Sequence, residues 1–224
     1  MKTPFNATKT RDYVPGDTSQ SFWDRRYAGM TKPSGGRASA VLMQFAADRR
    51  PGTALDLGCA RGDDAIWLAR QGWTVTGVDI SQAALDAARQ TAERAGVADR
   101  TNFVRHDLGE SFPEGRFDLV SAMFFQSPVE FARTQALQNA ARAVAPGGLL
   151  LIAVHGSAPP WSEAHANTLF PTAEEELAAL SLAPNEWREL LVGPIARPVT
   201  GPDGQQAEII DAVVALERRK ISPR

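Results

Sequence analysis

Residues 53–81 constrain the fold of this chain more than any other segment. They read TALDLGCARGDDAIWLARQGWTVTGVDIS: an apolar strand, a turn containing Gly58 and Gly62, a helix, and a second strand that ends at Asp79. Glycine allows a ligand to approach the backbone closely, because it has no side chain. A buried strand that runs into such a turn and then into a helix predicts a nucleotide-type binding site.

The pattern continues beyond this segment as a regular alternation of short apolar runs and amphipathic stretches, which is typical of an α/β fold with a parallel sheet. We expect a Rossmann-like, doubly wound, mostly parallel sheet of seven strands that ends in a C-terminal antiparallel hairpin. The predicted strands are 54–57, 74–79, 102–106, 119–124, 149–154, 187–199 and 208–217, and the predicted helices between them include 63–70, 82–95, 128–144 and 172–180.

With 224 residues, the chain is expected to form one domain with a large core. The polar residues 1–18 are predicted to be a flexible arm. The domain then spans 19–224. It is divided into a helical lid (19–48), a cofactor-binding core (53–155) and a segment with a substrate loop, a helix and a hairpin (156–224).

Charge and composition exclude several classes of partner. The net charge is −2 and the pI is about 6.0, which gives no general attraction to nucleic acid or to anionic membranes. The sequence shows neither a long apolar run nor an apolar signal core near its start. Its single cysteine, Cys59, fits a reducing compartment. We therefore expect a cytoplasmic monomer or homodimer.

The glycine turn is also compatible with two simpler or different roles. It can be a purely structural turn with no ligand. A dinucleotide fold requires glycines at the first, third and sixth positions after the strand, where this chain has Gly58, Ala60 and Asp63. A carboxylate at Asp63 would repel a pyrophosphate at the helix N-terminus. A ligand that carries a positive charge would instead tolerate Asp56, Asp63 and Asp64.

The run Asp56-Leu57-Gly58-Cys59-Ala60-Arg61-Gly62 resembles motif I of class I S-adenosylmethionine-dependent methyltransferases, with Ala60 in place of the central glycine. The following AIWLARQGWTVTGVDIS is similar to small bacterial methyltransferases of the tellurite-resistance and thiopurine-methylating type. The resemblance covers about 22–156 and includes Phe22-Trp23-Asp24-Arg25-Arg26-Tyr27 and Ala145-Pro146-Gly147-Gly148.

The resemblance implies S-adenosylmethionine as the cofactor. Asp79 would accept hydrogen bonds from both ribose hydroxyls, and Asp107 and the backbone nitrogen of Leu108 would hold the adenine. Ile80 would cover the adenine or serve as an ordinary core residue, and Arg37 would meet the methionine carboxylate. The expected cofactor-binding residues are Trp23, Asp56, Gly58, Cys59, Ala60, Gly62, Asp79, Ile80, Ser81, Asp107, Leu108, Met123 and Phe124.

The acceptor side is less defined by the resemblance. Relatives of the tellurite-resistance type often have a histidine where this chain has Gln126, so a general base is missing there. His155 is the better candidate for acid–base work, because a histidine titrates near neutral pH. We expect the catalytic residues His155 and Gln126, and the substrate-binding residues Tyr27, Phe125, Gln126, His155, Trp161 and His165. Core packing is the competing role for the aromatic residues.

No metal site is expected, because the three histidines His106, His155 and His165 lie on different predicted elements and lack ligand-type spacing. The predicted activity is methyl transfer to a nucleophilic S, N, O, Se or Te atom of a small-molecule acceptor. Two alternatives stay open. One is a regulatory or scaffold protein that binds the cofactor without methyl transfer, and the other is an enzyme that uses the cofactor for a different reaction.

Overall fold

A computed structural model of the chain describes residues 3–4 (backbone only), 13–30, 34–162, 168–183 and 185–220. Within these ranges the strands are β1 (Thr3–Pro4), β2 (Thr53–Leu57), β3 (Thr74–Asp79), β4 (Thr101–Arg105), β5 (Phe117–Met123), β6 (Val144–His155), β7 (Thr168–Leu169), β8 (Trp187–Thr200) and β9 (Gln206–Arg218). The α-helices are α1 (Ser19–Ala28), α2 (Ala40–Ala46), α3 (Asp63–Arg70), α4 (Gln82–Arg94), α5 (Arg133–Ala143) and α6 (Ala173–Ala179).

The main sheet has seven strands in the described part of the chain, in the order β4-β3-β2-β5-β6-β9-β8. Strands β2 to β6 pair in parallel, whereas β9 runs antiparallel to both β6 and β8. Strands β1 and β7 form a separate parallel pair. The predicted fold class, a mostly parallel Rossmann-like sheet with a C-terminal antiparallel hairpin, is confirmed.

Helices cover both faces of the sheet. One apolar cluster joins α2, α3 and α4 to one face, and a second joins α5 and α6 to the other. β6 carries six consecutive buried residues, Leu149–Val154, because it lies in the middle of this three-layer core. The apolar stripe of α5, which includes Leu137, Ala140 and Ala141, belongs to the second cluster.

The helix predicted over 128–144 begins later, at Arg133. The Ser127 hydroxyl accepts a hydrogen bond from the backbone nitrogen of Val129 at 3.1 Å, which favours a turn over a helical start. The Arg133 nitrogen then donates to the Phe131 carbonyl at 2.7 Å. Residues 127–132 are therefore a loop, and that loop is free to line a cavity.

Other local signals agree with the structure. Thr172 caps α6 through a capping box with Glu175, at the start of the helix predicted over 172–180. Thr18 caps α1, and its side chain accepts from the Ser21 backbone nitrogen. In the described part of the arm, the Asp17 carboxylate pairs with Arg25 on α1. The limits of the arm, lid and core remain predictions. No helix in the described ranges is long and apolar enough to cross a membrane.

The strand order reverses between β2 and β5. Strands β3 and β4 follow β2 towards one edge of the sheet, whereas β6 and the β8–β9 hairpin follow β5 towards the other edge. The carboxyl ends of β2 and β5 lie side by side at this reversal. Ligands of open α/β sheets bind at such switch points. The turn after β2 and the residues after β5 are therefore the first place to look for a site.

Candidate functional site

Two adjoining cavities lie at the switch point. We call the first the aromatic cavity; it is lined by Ser19, Trp23, Tyr27, Gly58, Asp79, Ile80, His106, Asp107, Leu108, Phe124, Phe125, Gln126, Ser127 and Phe131. We call the second the acidic cavity; it is lined by Tyr27, Met30, Ser34, Arg37, Ser39, Asp56, Gly58, Cys59, Ala60, Arg61, Asp63, Asp64 and Met123.

Tyr27 and Gly58 line both cavities and therefore mark their junction. The volumes are about 100 Å³ and about 290 Å³, whereas small-molecule pockets usually measure roughly 300–1,000 Å³. A ligand that fills a pocket of the usual volume would therefore occupy both cavities. Its apolar, ring-shaped part would lie in the aromatic cavity and its charged part in the acidic cavity.

Asp79 lies at the end of β3 and is 7% exposed. Its Oδ2 accepts from the Ala60 nitrogen and its Oδ1 from the Ser81 nitrogen, both at 2.9 Å. Because each carboxylate oxygen has two lone pairs, the group can still accept from a ligand. Burial raises the pKa of Asp79 above its usual value, and the backbone hydrogen bonds oppose that rise. This arrangement suits a vicinal diol that donates to both oxygens.

Asp56 supplies an unpaired acceptor to the acidic cavity. The residue is 2% exposed, and its Oδ1 accepts from the Ser121 hydroxyl at 2.9 Å. Its Oδ2 is buried with no hydrogen-bond partner among the described residues. A buried carboxylate oxygen without a donor is costly, and a cationic ligand group such as an ammonium would satisfy it.

The acidic cavity contains two further carboxylates. Asp64 accepts from the backbone nitrogen and hydroxyl of Ser39 at 2.6 and 2.8 Å, and Asp63 accepts from the Ser34 hydroxyl. Burial raises the pKa of Asp64, and burial together with the Asp64 charge raises the pKa of Asp56. The arginines Arg37 and Arg61 lie on the same lining. Acidic and basic groups in one cavity fit an amino-acid zwitterion.

Replacing Asp56 by asparagine is expected to stabilise the unliganded protein at pH 7 by about 1 kcal/mol. The folded chain holds a proton on Asp56 more tightly than the unfolded chain does, because the pKa is raised on folding. The contribution of Asp56 to the free energy of unfolding is therefore largest below about pH 4 and is lost as the pH rises above that value. Urea unfolding at pH 4.5 and pH 7 should show the gain mainly at pH 7. An equal difference at both values would contradict this assignment of the shift.

The residues after β5 form a strained turn. Phe124 has a φ of 55°, a region that non-glycine residues seldom occupy and that costs about 1–3 kcal/mol. Its nitrogen donates to the Ala153 carbonyl at 2.7 Å, and its carbonyl accepts from the Gln126 nitrogen at 2.8 Å. We call residues 124–127 the acceptor turn. All four of its residues line the aromatic cavity.

Aromatic contacts fix the wall around this turn. Phe125 meets Phe131 edge to face, with ring centroids 5.2 Å apart. The Trp23 Nε1 donates to the Ser127 hydroxyl at 3.2 Å, and the Trp23 ring stacks on Tyr27 at 5.7 Å. Burial, followed by the Asp79 charge, raises the pKa of Tyr27 well above its usual range. The Tyr27 phenol is therefore a neutral hydrogen-bond donor at physiological pH.

Most of the predicted site residues line the two cavities, and four of the described ones do not: Gly62, Ser81, Trp161 and His155. Gly62 lies under Ala88 and Phe103. Ser81 caps α4 and donates to Asp24 at 2.8 Å. Trp161 lies beside Gly201 of the hairpin turn. The predicted role of each in binding stays a prediction, and the structure gives Gly62 and Ser81 structural functions.

His155 lies behind the cavity wall. Its ring stacks on Phe124 at 4.5 Å, and its backbone nitrogen donates to the Gln126 Oε1 at 3.2 Å. Asp211 lies opposite His155 in the β6–β9 pair, is fully buried and pairs with Arg197 at 2.6 Å. His155 therefore supports the acceptor turn in this structure, while its predicted acid–base role stays untested. His165 lies outside the described residues.

Gly62 offers a direct test of its packing role. A Cβ at this position would lie 3.0 Å from both Ala88 and Phe103, at a φ of 80°. Gly62→Ala is expected to lower the free energy of unfolding by about 2–4 kcal/mol, through left-handed strain and overpacking. Gly96→Ala is the control, because its φ of 68° is similar but nothing lies within 4 Å. Equal losses in urea unfolding would show that packing contributes nothing.

Sequence reasoning missed several residues at the site. Ser127 and Phe131 line the aromatic cavity, but the apolar pattern predicts a helix over 128–144 that includes Phe131 and begins next to Ser127. Ser19, Ser34 and Ser39 also line the cavities, and no sequence motif indicates them. A partly apolar loop before an amphipathic helix is the signal that could have indicated Phe131. Among the described residues, no group of three or more His, Cys, Asp or Glu side chains is placed to hold a metal ion.

The fold, the glycine turn with Asp79 and the acidic cavity are together those expected of a class I S-adenosylmethionine-dependent methyltransferase. Residues 54–148 match the family model described as "Methyltransferase domain". The cofactor of this family is S-adenosylmethionine. The residues present fit it, because the orphan Asp56 oxygen suits its ammonium group and Asp79 suits its ribose diol.

Two proteins whose names describe methyltransferases are similar to part of the chain. Ribosomal RNA small subunit methyltransferase C of Alcanivorax borkumensis is 38% identical over 85 residues, covering 37% of this chain and 25% of that protein. The 2-heptyl-1-hydroxyquinolin-4(1H)-one methyltransferase of Mycobacteroides abscessus is 34% identical over 116 residues, 48% of each chain. The chain thus spans at most about half the length of these relatives.

TehB from Haemophilus influenzae has a similar solved structure, with a TM-score of 0.63 over 91% of this chain and 68% of that one. The sequences are 18% identical, so this likeness shows the fold alone. The fold is therefore that of the class I methyltransferases, residues 54–148 are similar to their domain, and neither finding identifies the acceptor.

Proposed function

We propose that this protein transfers a methyl group from S-adenosylmethionine to a nucleophilic atom of a small, largely apolar molecule. The observation that carries the proposal is the composition of the aromatic cavity, where Trp23, Tyr27, Phe124, Phe125 and Phe131 surround the space beside the ribose-binding carboxylate. No Lys or Arg is among the described residues of that lining. The part of this surface that is not assigned to the nucleoside, formed by Phe125, Gln126 and Phe131, suits a ring-containing acceptor better than a phosphate backbone.

The two cavities divide the cofactor between them. Asp79 would hold the ribose, while Ile80, Asp107 and Leu108 would contact the adenine in the aromatic cavity. Asp56 would hold the ammonium group in the acidic cavity, and Arg37 would meet the carboxylate. The junction at Tyr27 and Gly58 would then lie beside the atoms that link the nucleoside to the amino acid.

When bound, S-adenosylmethionine supplies a methyl group activated by its sulfonium charge. The protein contributes position and exclusion of water, which in favourable cases lower a barrier by about 7–11 kcal/mol. The aromatic ring of Phe125 would stabilise nearby positive charge, whereas the Phe124 ring already stacks on His155 and has the Arg197 guanidinium 5.6 Å from its centroid. Gln126 can hydrogen-bond an acceptor but cannot deprotonate it, so the cavity favours an acceptor that has already lost its proton to solvent, such as a thiol that reacts as its thiolate.

Relatives support both sides of the acceptor question. The Mycobacteroides protein is named for a small quinolone, whereas the Alcanivorax protein is named for ribosomal RNA. The net charge of −2 favours the small molecule. A reducing compartment such as the cytoplasm, and a monomeric or homodimeric state, remain part of this proposal, on the basis of the unpaired Cys59 and the likeness to small methyltransferases.

The proposal is tested with a panel of thiols, phenols and amines incubated with the protein and S-adenosylmethionine. We expect mass spectrometry to detect a product heavier than one of the acceptors by one CH₂ unit, because a methyl group replaces a hydrogen, together with S-adenosylhomocysteine. If the protein binds S-adenosylmethionine but transfers no methyl group to any compound of the panel or to ribosomal RNA, the result would favour a regulatory protein. A modified cofactor with no methylated acceptor would favour a different reaction.

A further inference from the structure

Arg133 connects the acceptor turn to a helix outside the site. Its Nε donates to the Phe125 carbonyl at 2.7 Å. Its two terminal nitrogens donate to the two carboxylate oxygens of Glu176 on α6, at 3.0 and 2.9 Å. The Arg133 side chain is 22% exposed and that of Glu176 is 6% exposed. A bidentate, mostly buried pair of this kind fixes the guanidinium plane and hence the direction of the Nε–H.

The backbone on either side of the Phe125 carbonyl is strained or closely packed, so it requires contacts that keep it in place. Phe124 precedes the contacted carbonyl and has a left-handed backbone, which persists only where its surroundings enforce it. Phe125 places its ring 2.7 Å from the position that a Cβ on Gly58 would take, so the turn fits closely against the glycine at the junction of the cavities. A small shift of the Phe125 backbone would change that fit.

We propose that Arg133 is a positioning residue for the methyl-transfer site. It holds the acceptor turn in place through the Phe125 carbonyl, and Glu176 orients it for that purpose. The inference rests on the proposed function, because the turn lines the cavity assigned to the nucleoside and the acceptor. The competing role for the pair is only to attach α6 to α5.

Reversing the pair separates the positioning role from the attachment role. In the double variant Arg133→Glu with Glu176→Arg, the ion pair can form again with its charges exchanged. A carboxylate at position 133 cannot donate to the Phe125 carbonyl, because an ionised carboxylate only accepts hydrogen bonds. The reversed pair therefore restores attachment of α6 without restoring the hold on the turn.

The experiment measures S-adenosylhomocysteine affinity by calorimetry and thermal unfolding for the wild type, Arg133→Met, the reversed pair and Arg188→Met. Arg188 makes a more exposed pair with Glu217, remote from the site, and is the control. We expect Arg133→Met to weaken binding about ten- to a hundredfold, as for the loss of a charged hydrogen bond. The reversed pair should recover the melting temperature but not the affinity, and Arg188→Met should bind within about twofold of wild type.

Recovery of affinity by the reversed pair, or unchanged affinity in Arg133→Met, would overturn the inference. If either variant fails to fold, Arg133→Lys and Glu176→Gln replace them. The single ammonium nitrogen of a lysine cannot replace three nitrogens that donate to two separate acceptors, so the affinity of Arg133→Lys should fall more than that of Glu176→Gln, which keeps Arg133 intact. The opposite order would overturn the inference. A wild-type protein that binds no S-adenosylhomocysteine would refute the proposed function itself.

Discussion

Asp79→Ala is expected to weaken S-adenosylmethionine binding by about a hundredfold or more. Asp79 lies at the carboxyl end of β3, lines the aromatic cavity and is the carboxylate that we propose to hold the ribose diol. Two hydrogen bonds to a charged acceptor contribute about 1.5–3 kcal/mol each, and about 1.4 kcal/mol corresponds to a tenfold change in affinity. Isothermal titration calorimetry near neutral pH measures the change directly.

Two variants control for indirect effects. Asp79 also accepts from the backbone nitrogens of Ala60 and Ser81. Asp79→Asn preserves the size of the side chain and one acceptor oxygen, so it should fold more stably than Asp79→Ala and still bind weakly. Asp86→Ala removes an exposed carboxylate from α4 and should bind as the wild type does. If Asp79→Ala binds normally, the placement of the ribose, and with it the site, is wrong.

Gly58→Val is the second substitution with a large expected effect. The backbone here has a φ of 64°, where a β-branched residue is strongly disfavoured, and its Cβ would lie 2.7 Å from the Phe125 ring. Strain and overpacking together should lower the free energy of unfolding by about 2–4 kcal/mol. Movement of Phe125 would not restore binding, because the added methyl groups would still occupy the junction of the cavities.

Calorimetry with S-adenosylhomocysteine should therefore detect no binding to Gly58→Val at concentrations that saturate the wild type. Gly193→Val in β8 is the matched control, since a Cβ there meets nothing within 4 Å and the backbone is not left-handed. Wild-type affinity in a folded Gly58→Val protein would show that the ligand does not approach this glycine.

Local chemistry predicts most of the fold. Short apolar runs indicate the strands, the Gly201-Pro202-Asp203-Gly204 turn indicates the hairpin, and the Thr172–Glu175 spacing indicates a helix start. These signals work because each depends on residues close together in the chain. The predicted start of α5 is wrong because a side-chain bond at Ser127, together with an aromatic residue turned towards the cavity, overrides an apparently helical pattern.

The site could be predicted only in part. Asp56, Gly58 and Asp79 follow from a local motif, and the structure places all three on the cavities. The position of His155 depends on the pleat of β6, which turns its ring onto the back of Phe124. The pairs Arg133–Glu176 and Arg197–Asp211 form only when separate elements pack together. No periodicity or residue spacing in the sequence predicts them.

A crystal structure with S-adenosylhomocysteine would test the central claim, that one cofactor spans both cavities, most directly. We predict that its ribose hydroxyls donate to Asp79 and that its ammonium group donates to the Oδ2 of Asp56. The linking sulfur should lie between Tyr27 and Gly58, facing the acceptor turn. Electron density for the ligand confined to one cavity, or an amino-acid group directed away from Asp56, would contradict the claim.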